Sequence, residues 1–493
     1  MKTDKMFLGC MGILAMSMTF MSCSSDNDNP NPQPSAAYQW STDGGFKACD
    51  HLLFTDDGKD APQGTVIGNG DQNFVFKGTQ TLQRGTYTLK GWVYVASGST
   101  LTIPAGTIIK GDKATQAALI VEPGGKLIAN GTAQQPIVFT SAQPAGNRRP
   151  GDWGGVIICG KAPNNSGVLA QQIEGGPRTK HGGTDANDNS GSLQYVRIEF
   201  AGYPFKKDQE INGLTFGSVG TGTTVDHVQV SYSNDDSFEW FGGTVNCKHL
   251  IAFRGWDDDF DTDNGFSGHV EYGLSVRDSR IADASQSNGF ESDNNASGST
   301  AEPYTSATFS YMTFLGPKTF DASFTNSADY IQGGGMNPEN GSSMGLFQAA
   351  MHIRRNSRLN VEKTLAIGWP IGIILDNEKG NTQGAATNGL MNLKGITFVG
   401  MDIVGSDFNK VYKDELYDYV TKTTDATKKS FSSTFFQLAA NQNTVIGSWM
   451  ARTWNGIASI LAISGDYPGI GAFPDGQDWT AGWTNFDPQN TQY

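Results

Sequence analysis

The sequence is short of charge, of cysteine and of long apolar runs, and each shortage removes a class of protein. Charged residues make up 17% of the chain, and acids outnumber bases by 49 to 35, for a formal net charge of −14. A surface of that sign repels nucleic acid and anionic lipid, which excludes both as direct partners. It would also repel polyanionic glycans unless cations bridge them. Of five cysteines, Cys10 and Cys23 belong to the N-terminal segment, which leaves Cys49, Cys159 and Cys247. Three thiols make no disulfide framework, and the strand-like apolar runs around Cys159 and Cys247 read as core. No stretch after the first twenty or so residues is long and apolar enough to span a bilayer. Cys/His metal spacing, phosphate loop, nucleophile elbow and nucleotide fingerprint do not stand out. Glycine, by contrast, is plentiful: 62 of 493 residues, against roughly 7% in average proteins. Runs such as Gly220-Thr-Gly222 and Gly333-Gly-Gly335 follow from that abundance and carry no motif of their own.

At the N-terminus Lys2 and Lys5 form a basic head, an uncharged, mostly apolar run extends from Met6 to Phe20, and small Ser22 precedes Cys23. The run is too short and wrongly flanked for a stop-transfer span, so residues 1–22 read as an export signal. A signal ending in a small residue and cysteine resembles a bacterial lipoprotein box, in which Cys23 is acylated and becomes the first mature residue. Phe20 stands where that box usually has Leu, and a plain signal cleaved near Ser22 is the alternative. Several acyl chains on one cysteine exceed the two hydrophobic signals that stable anchoring needs. Residues 23–36, with Asp26, Asp28, Pro30, Pro32 and Pro34, cannot bury anything and are expected to be a disordered tether. An acidic patch directly after the lipidated cysteine resembles the surface-export signal of Bacteroidetes lipoproteins. That resemblance implies an outer-membrane, lipid-anchored protein facing the cell exterior.

From about Thr81 to Gly400 one idiom repeats: a short β-rich run, a Gly/Asn/Asp turn, another run. Trp92-Val-Tyr-Val-Ala96, Ala118-Leu-Ile-Val-Glu122 and Gly155-Val-Ile-Ile-Cys159 are examples. Each is strand length and none can bury both faces alone, whereas stacking successive turns about 4.8 Å apart buries them all. The chain is therefore expected to be all-β, a right-handed parallel β-helix over residues 81–405. A short N-terminal cap over 37–80 and a partly helical C-terminal cap and return segment over 406–493 would close its ends. Val411 to Val420 places apolar residues at helical spacing. A β-sandwich is the structural alternative, disfavoured because tight hairpin signals are scarce. Laying Asp235-Asp-Ser-Phe-Glu-Trp240 over Asp257-Asp-Asp-Phe-Asp-Thr262 and Asn288-Gly-Phe-Glu-Ser-Asp293 predicts that Phe238, Phe260 and Phe290 form an inward ladder. Glu239, Asp261 and Glu291 should then point outward together.

The runs Leu101-Thr-Ile-Pro-Ala-Gly-Thr, Gly151-Asp-Trp-Gly-Gly155, Asp235-Asp-Ser-Phe-Glu-Trp-Phe-Gly-Gly243 and Gly482-Trp-Thr-Asn-Phe-Asp-Pro488 look like a family of β-helix envelope lipoproteins from Bacteroidetes and related phyla. The resemblance covers nearly all of the mature chain and implies a pectin-lyase-like fold. Some lipoproteins of this sort accompany the paired transporter and lid proteins of starch-utilisation-type, TonB-dependent uptake systems. Fold likeness alone confers no chemistry.

The strongest constellation is acidic: Asp235, Asp236, Glu239, Asp257, Asp258, Asp259, Asp261 and Asp263, with Glu291 and Asp293 on the next copy. Stacked carboxylates repel unless protonated or neutralised by a hard cation, so Asp235, Asp236, Glu239, Asp258, Asp259 and Asp261 are candidate calcium ligands. A solvated acidic face with turn-forming Asp residues is the alternative. A catalytic reading would use Asp236, Asp258 and Asp261 as acid and base on a glycosidic bond, or calcium with Lys248 in a polysaccharide lyase. Pectin-cutting β-helix hydrolases pair their Asp residues with a His-containing turn and an Arg-x-Lys signature, and neither is found at matching positions. His181, in a Gly-rich loop, is expected to be exposed, and His352 reads as structural or a surface charge. Trp240, Trp256 and Tyr272 are candidates for a ledge that stacks on sugars or holds an extended peptide, with packing beneath loops as the alternative. Together these features favour a surface lipoprotein that captures a glycan or peptide for import. An enzyme and a structural or adhesive envelope protein are the alternatives.

Overall fold

Short β-rich runs ending in turns each leave two strand edges to be paired, and this chain pairs them by laying equivalent runs on one another. In the computed structural model, which describes residues 38–206 and 209–493, the runs form a right-handed parallel β-helix. The export signal, Cys23 and the tether lie outside the described residues. One sheet of 13 strands starts with Trp40–Asp43 and then rises from Phe46–Cys49 to Ile403–Ser406 by parallel pairing, and its central strands are Leu214–Val219, Phe238–Gly243, Phe260–Asp263, Phe290–Ser292 and Ala349–Ile353. A second sheet of 18 strands contains the long strands Gly191–Glu199, Thr224–Ser231, Cys247–Phe253, His269–Val276 and Thr308–Leu315, also parallel. Parallel neighbours need crossovers rather than hairpins, which rules out the β-sandwich.

Between the sheets lies the core, and its centre is the expected ring ladder. Phe238, Phe260 and Phe290 are fully buried and directly paired across adjacent strands. Their ring centroids are 5.5 Å and then 6.0 Å apart. Cys49, Cys159 and Cys247 are buried free thiols.

A stack needs its end strands covered. At the start, Trp40–Asp43 folds back antiparallel on Phe46–Cys49. At the far end the helix Phe431–Phe436 closes the last strands: Ser430 caps it by accepting from Ser433 N–H, and Phe436 stacks on Phe398 at 4.0 Å. Val411 to Val420 does not form the expected helix. Leu416–Asp418 pairs antiparallel with Thr423–Asp425, Tyr417 lies 4.1 Å from Phe408, and the Tyr419 hydroxyl donates to Asp376. Tyr417 and Tyr419, two residues apart, find these partners only on an extended backbone.

After pairing Thr444–Ile446 with Thr397–Val399, the chain runs back along the 18-stranded sheet. Trp454 and Phe486 pack on Phe253, Arg148 donates to the carbonyl of Pro488, and the Tyr493 hydroxyl donates to Glu199 at 2.6 Å. The helix Ile457–Gly465 buries Ile460 and Ile463 in the same second core, together with Leu274 and Trp483. The outer face of the 18-stranded sheet is thereby covered over many rungs. On the 13-stranded sheet, apolar clusters flank the central strands. Trp92, Ile120 and Ile157 pack with Ile173 and Ile211 on one side, and Ile371 and Ile374 with Tyr412 on the other.

Candidate functional site

Between those two covered flanks the outer face of the 13-stranded sheet is made of carboxylates. The register that turns Phe238, Phe260 and Phe290 inward turns the next residue of each strand outward, so Glu239, Asp261 and Glu291 form one column. Thr215 precedes that column and His352 follows it. The turns before these strands add a relay in which each side chain caps the next rung: Asp236 Oδ1 accepts from Asp258 N–H at 2.9 Å, Asp258 Oδ1 from Asn288 N–H at 2.5 Å, and Asn288 Oδ1 from Ala349 N–H at 3.1 Å. These bonds engage Oδ1 of Asp236 and Oδ1 of Asp258.

The result is a chain of overlapping acidic triads. Single oxygens of Asp235, Asp236 and Asp257 lie within 4.8 Å of one another, as do those of Asp236, Glu239 and Asp261, and those of Asp258, Asp261 and Glu291. Oxygens on opposite sides of a calcium ion are separated by about 4.8 Å, so each triad has the span of one coordination shell. Asn212 donates its side-chain amide to Glu239, while Asp257 Oδ1 and Asp261 Oδ1 are buried without a hydrogen bond. Bases pair with the trough at the Glu291 rung, where Arg354 pairs with Glu291 and Asp293, and Arg355 with Asp293 at 2.6 Å. Among the described residues no Lys or Arg forms an ion pair with Asp235, Asp236, Glu239, Asp258 or Asp261.

Proton affinities follow that division at Glu291 but not at Asp293, which burial raises despite Arg354 and Arg355. Burial first, and then the neighbouring carboxylates, push Asp235, Asp236, Glu239, Asp258, Asp261 and Asp263 well above the ordinary range. Asp257 is pushed up to about 8, by burial and then by Asp283. Burial acts on Glu291 as well, but Arg354 and His352 outweigh it and hold the group down to about 2. One rung separates a carboxylate with a base from one without.

Several expected site residues lie elsewhere. Asp259 is no trough ligand: it is fully buried, pairs with buried Arg277 at 2.9 Å, and accepts from Ser275. Trp240 is 0% exposed, stacked among Phe216, Phe238 and Phe266, because it shares strand parity with inward Phe238. Trp256, also 0% exposed, belongs to the core beneath the return segment. Of the three proposed ledge aromatics only half-buried Tyr272 reaches the surface, stacked on Tyr311 at 5.3 Å. Lys248 lies in Cys247–Phe253 of the other sheet and pairs with Glu271 at 2.9 Å, so it cannot serve as a base in the trough. His181 is buried, not exposed. It bonds the Ser218 hydroxyl at 2.8 Å, and burial pushes its imidazole down to about 3.

Other residues enter that the repeat did not announce. His352, fully buried, stands 3.6 Å from both Glu291 and Asp376. Glu174 comes from the loop beside a cleft of about 520 Å³ lined by Gln171, Phe205 and Phe241. Burial and then Glu210 push Glu174 up to about 7.

The chain matches the family described as pectate-lyase like beta helix domain over residues 75–484. No curated protein matches it. Among solved structures, the crystal structure of the Dettilon tailspike protein aligns at 12% identity and a TM-score of 0.24, over 68% of this chain and 62% of that one. The alignment thus spans less than two thirds of the tailspike chain.

The trough sets a pH dependence. A carboxyl whose affinity is raised on folding contributes stability that is full below the unfolded value, near about 4, and is lost as pH climbs through the folded value. For Asp257 that value is about 8. In chelator, the melting temperature of the wild type should fall between pH 5 and pH 8 relative to an Asp258→Asn/Asp261→Asn variant. Saturating calcium at pH 7.5 should raise the wild type selectively, by about 2.7 kcal/mol at a hundredfold excess over Kd. Parallel pH profiles in chelator, read by calorimetry, would contradict the charge assignment.

Proposed function

The chain belongs to the pectate-lyase-like beta helix domain family, and from this premise we propose that it is a surface-exposed, lipid-anchored protein of the outer membrane that captures a nutrient glycan. A peptide is the alternative ligand. The observation that carries the reading is the trough: Asp235, Asp236, Glu239, Asp258 and Asp261 converge on the outer sheet face, largely buried and, among the described residues, without an ion-paired base. Hard cations such as calcium take six to eight oxygen ligands, so an ion held by three carboxylates retains positions for outside donors. Sugar hydroxyls and uronate carboxylates are donors of that kind. A cation in the trough would also reverse the repulsion that a chain of net charge −14 exerts on acidic polysaccharide.

Capture is favoured over turnover by the basic groups. A lyase needs a free base beside the neutralised uronate, and Lys248 is committed to Glu271 on the other sheet while Arg354 is committed to Glu291 and Asp293. The lipoprotein reading rests on Ser22-Cys23 and the acidic, Pro-rich segment behind it. A transporter and lid-protein pair beside it would receive the captured ligand.

Electrophoresis of the purified protein through native gels containing a panel of polysaccharides, with calcium or with chelator, tests the capture. Retarded migration with intact glycan, abolished by chelator and by Asp258→Asn/Asp261→Asn, is expected. Cleared glycan would replace capture by catalysis, and unaltered migration in every gel would remove glycans as ligands. For the anchor, Cys23→Ala should release the protein from the membrane fraction, and its retention at the cell surface would overturn lipid attachment.

A further inference from the structure

A second cluster of ligating side chains lies on the other sheet, at a corner where each of five successive rungs carries a left-handed residue. Tyr195, His227, His249, Tyr272 and Tyr311 have φ of 50°, 57°, 52°, 60° and 56°. They are register equivalents, because the residues on either side of each are paired strand to strand. A left-handed corner costs a non-glycine residue of the order of 1 kcal/mol or more. Its repetition turns five rings outward in a single stack, with centroids 4.4, 4.3, 5.2 and 5.3 Å apart. Two adjacent members of this stack are imidazoles, and both turn Nδ1 toward the same carboxylate. Asp226 Oδ1 lies 2.8 Å from His227 Nδ1 and 2.7 Å from His249 Nδ1.

Hydrogen bonding accounts for only half of that arrangement. His249 Nδ1 is aligned to bond Asp226, whereas His227 Nδ1 is buried, equally close and without any hydrogen-bond partner. The return segment holds the rings in place, since Trp479 lies 5.0 Å from His249 and Trp483 lies 5.5 Å from His227. The Asp226 side chain remains 34% exposed, so solvent reaches its carboxylate, while His227 Nδ1 lies beneath it.

We propose that Asp226, His227 and His249 form a binding site for a borderline transition-metal ion of the zinc class, with its remaining coordination positions open to water or an external donor. The donor set carries the choice of ion. Two imidazole nitrogens and one carboxylate oxygen suit zinc, cobalt, nickel or copper, whereas calcium and magnesium prefer oxygen throughout. Two adjustments are needed: the rings are stacked with planes 29° apart, so the His227 imidazole has to rotate to aim its in-plane lone pair at the ion, and the carboxylate has to move. With bonds of roughly 2.0–2.1 Å, tetrahedral donors stand about 3.3 Å apart, so Asp226 has to withdraw by about half an ångström from the two nitrogens. Binding displaces any proton on the two Nδ1 atoms and leaves no oxidation or reduction to balance. The site is separate from the acidic trough, which lies on the other sheet and offers oxygens alone.

Calorimetric titration of tag-free protein with zinc chloride, in buffer containing calcium, tests the assignment, with the visible spectrum of bound cobalt as an independent readout. One zinc per chain is expected, weakened at least tenfold in His249→Ala and in Asp226→Asn and unchanged in Asp258→Asn/Asp261→Asn. Tyr272→Ala breaks the ring stack next to His249 but removes no donor, so it should keep full affinity and the tetrahedral cobalt spectrum. Zinc binding that survives His249→Ala, equal loss in Tyr272→Ala, or the absence of one-to-one binding would overturn the site.

Discussion

Register is the constraint on which the structure depends. In a parallel stack, equivalent residues of successive rungs lie about 4.8 Å apart, so whatever a strand places at one position is repeated against its own kind. For apolar residues the repetition is favourable, as the Phe238, Phe260 and Phe290 rings show. For carboxylates it is unfavourable, because Glu239 and Asp261 are placed side by side in a partly dry trough. Relieving that repulsion requires a base, a proton or a cation. The molecule uses a base at the Glu291 rung, where Arg354 meets Glu291 and Asp293. On the rungs below it leaves the carboxyls to protons or to an ion from solution.

The return segment then decides which face can act on anything outside. By lying along the 18-stranded sheet it buries Phe253, Leu274 and Trp256 and stays clear of the other sheet, whose outer face carries the acidic columns. Along its route Trp479 and Trp483 pin the imidazoles of His227 and His249. One structural device therefore isolates two donor sets of different character, oxygens on one face and nitrogens at a corner of the other.

Much of this was legible in the sequence, and the failures have physical causes. The spacing of Phe238, Phe260 and Phe290 announced both the inner ladder and the outer column, since strand parity ties the two together. The same parity places Trp240 on the side of Phe238, and the expectation of an exposed Trp240 neglected it. Asp259 precedes Phe260 in the same way as outward Asp261 follows it, but a long-range bond to Arg277 draws it into the interior, and no local pattern reveals that partner. A fourth copy of the repeat was concealed because Met351 replaces the phenylalanine. With Met351 laid over Phe290, His352 falls on Glu291 and Arg354 on Asp293, and the inverted charge of the last rung becomes readable. Glu174 comes from an inserted loop with no repeat pattern, and the histidine corner depends on backbone angles that composition does not encode.

The claim most exposed to test is that the trough carboxyls hold protons which a divalent cation displaces. Titrating calcium into chelator-treated protein near pH 7, in buffers of different ionisation enthalpy, measures ion binding and proton release together. Saturable binding with net proton release, lost on Asp258→Asn/Asp261→Asn, is the predicted result. Absence of binding, or binding that releases no protons and survives those substitutions, would contradict the account.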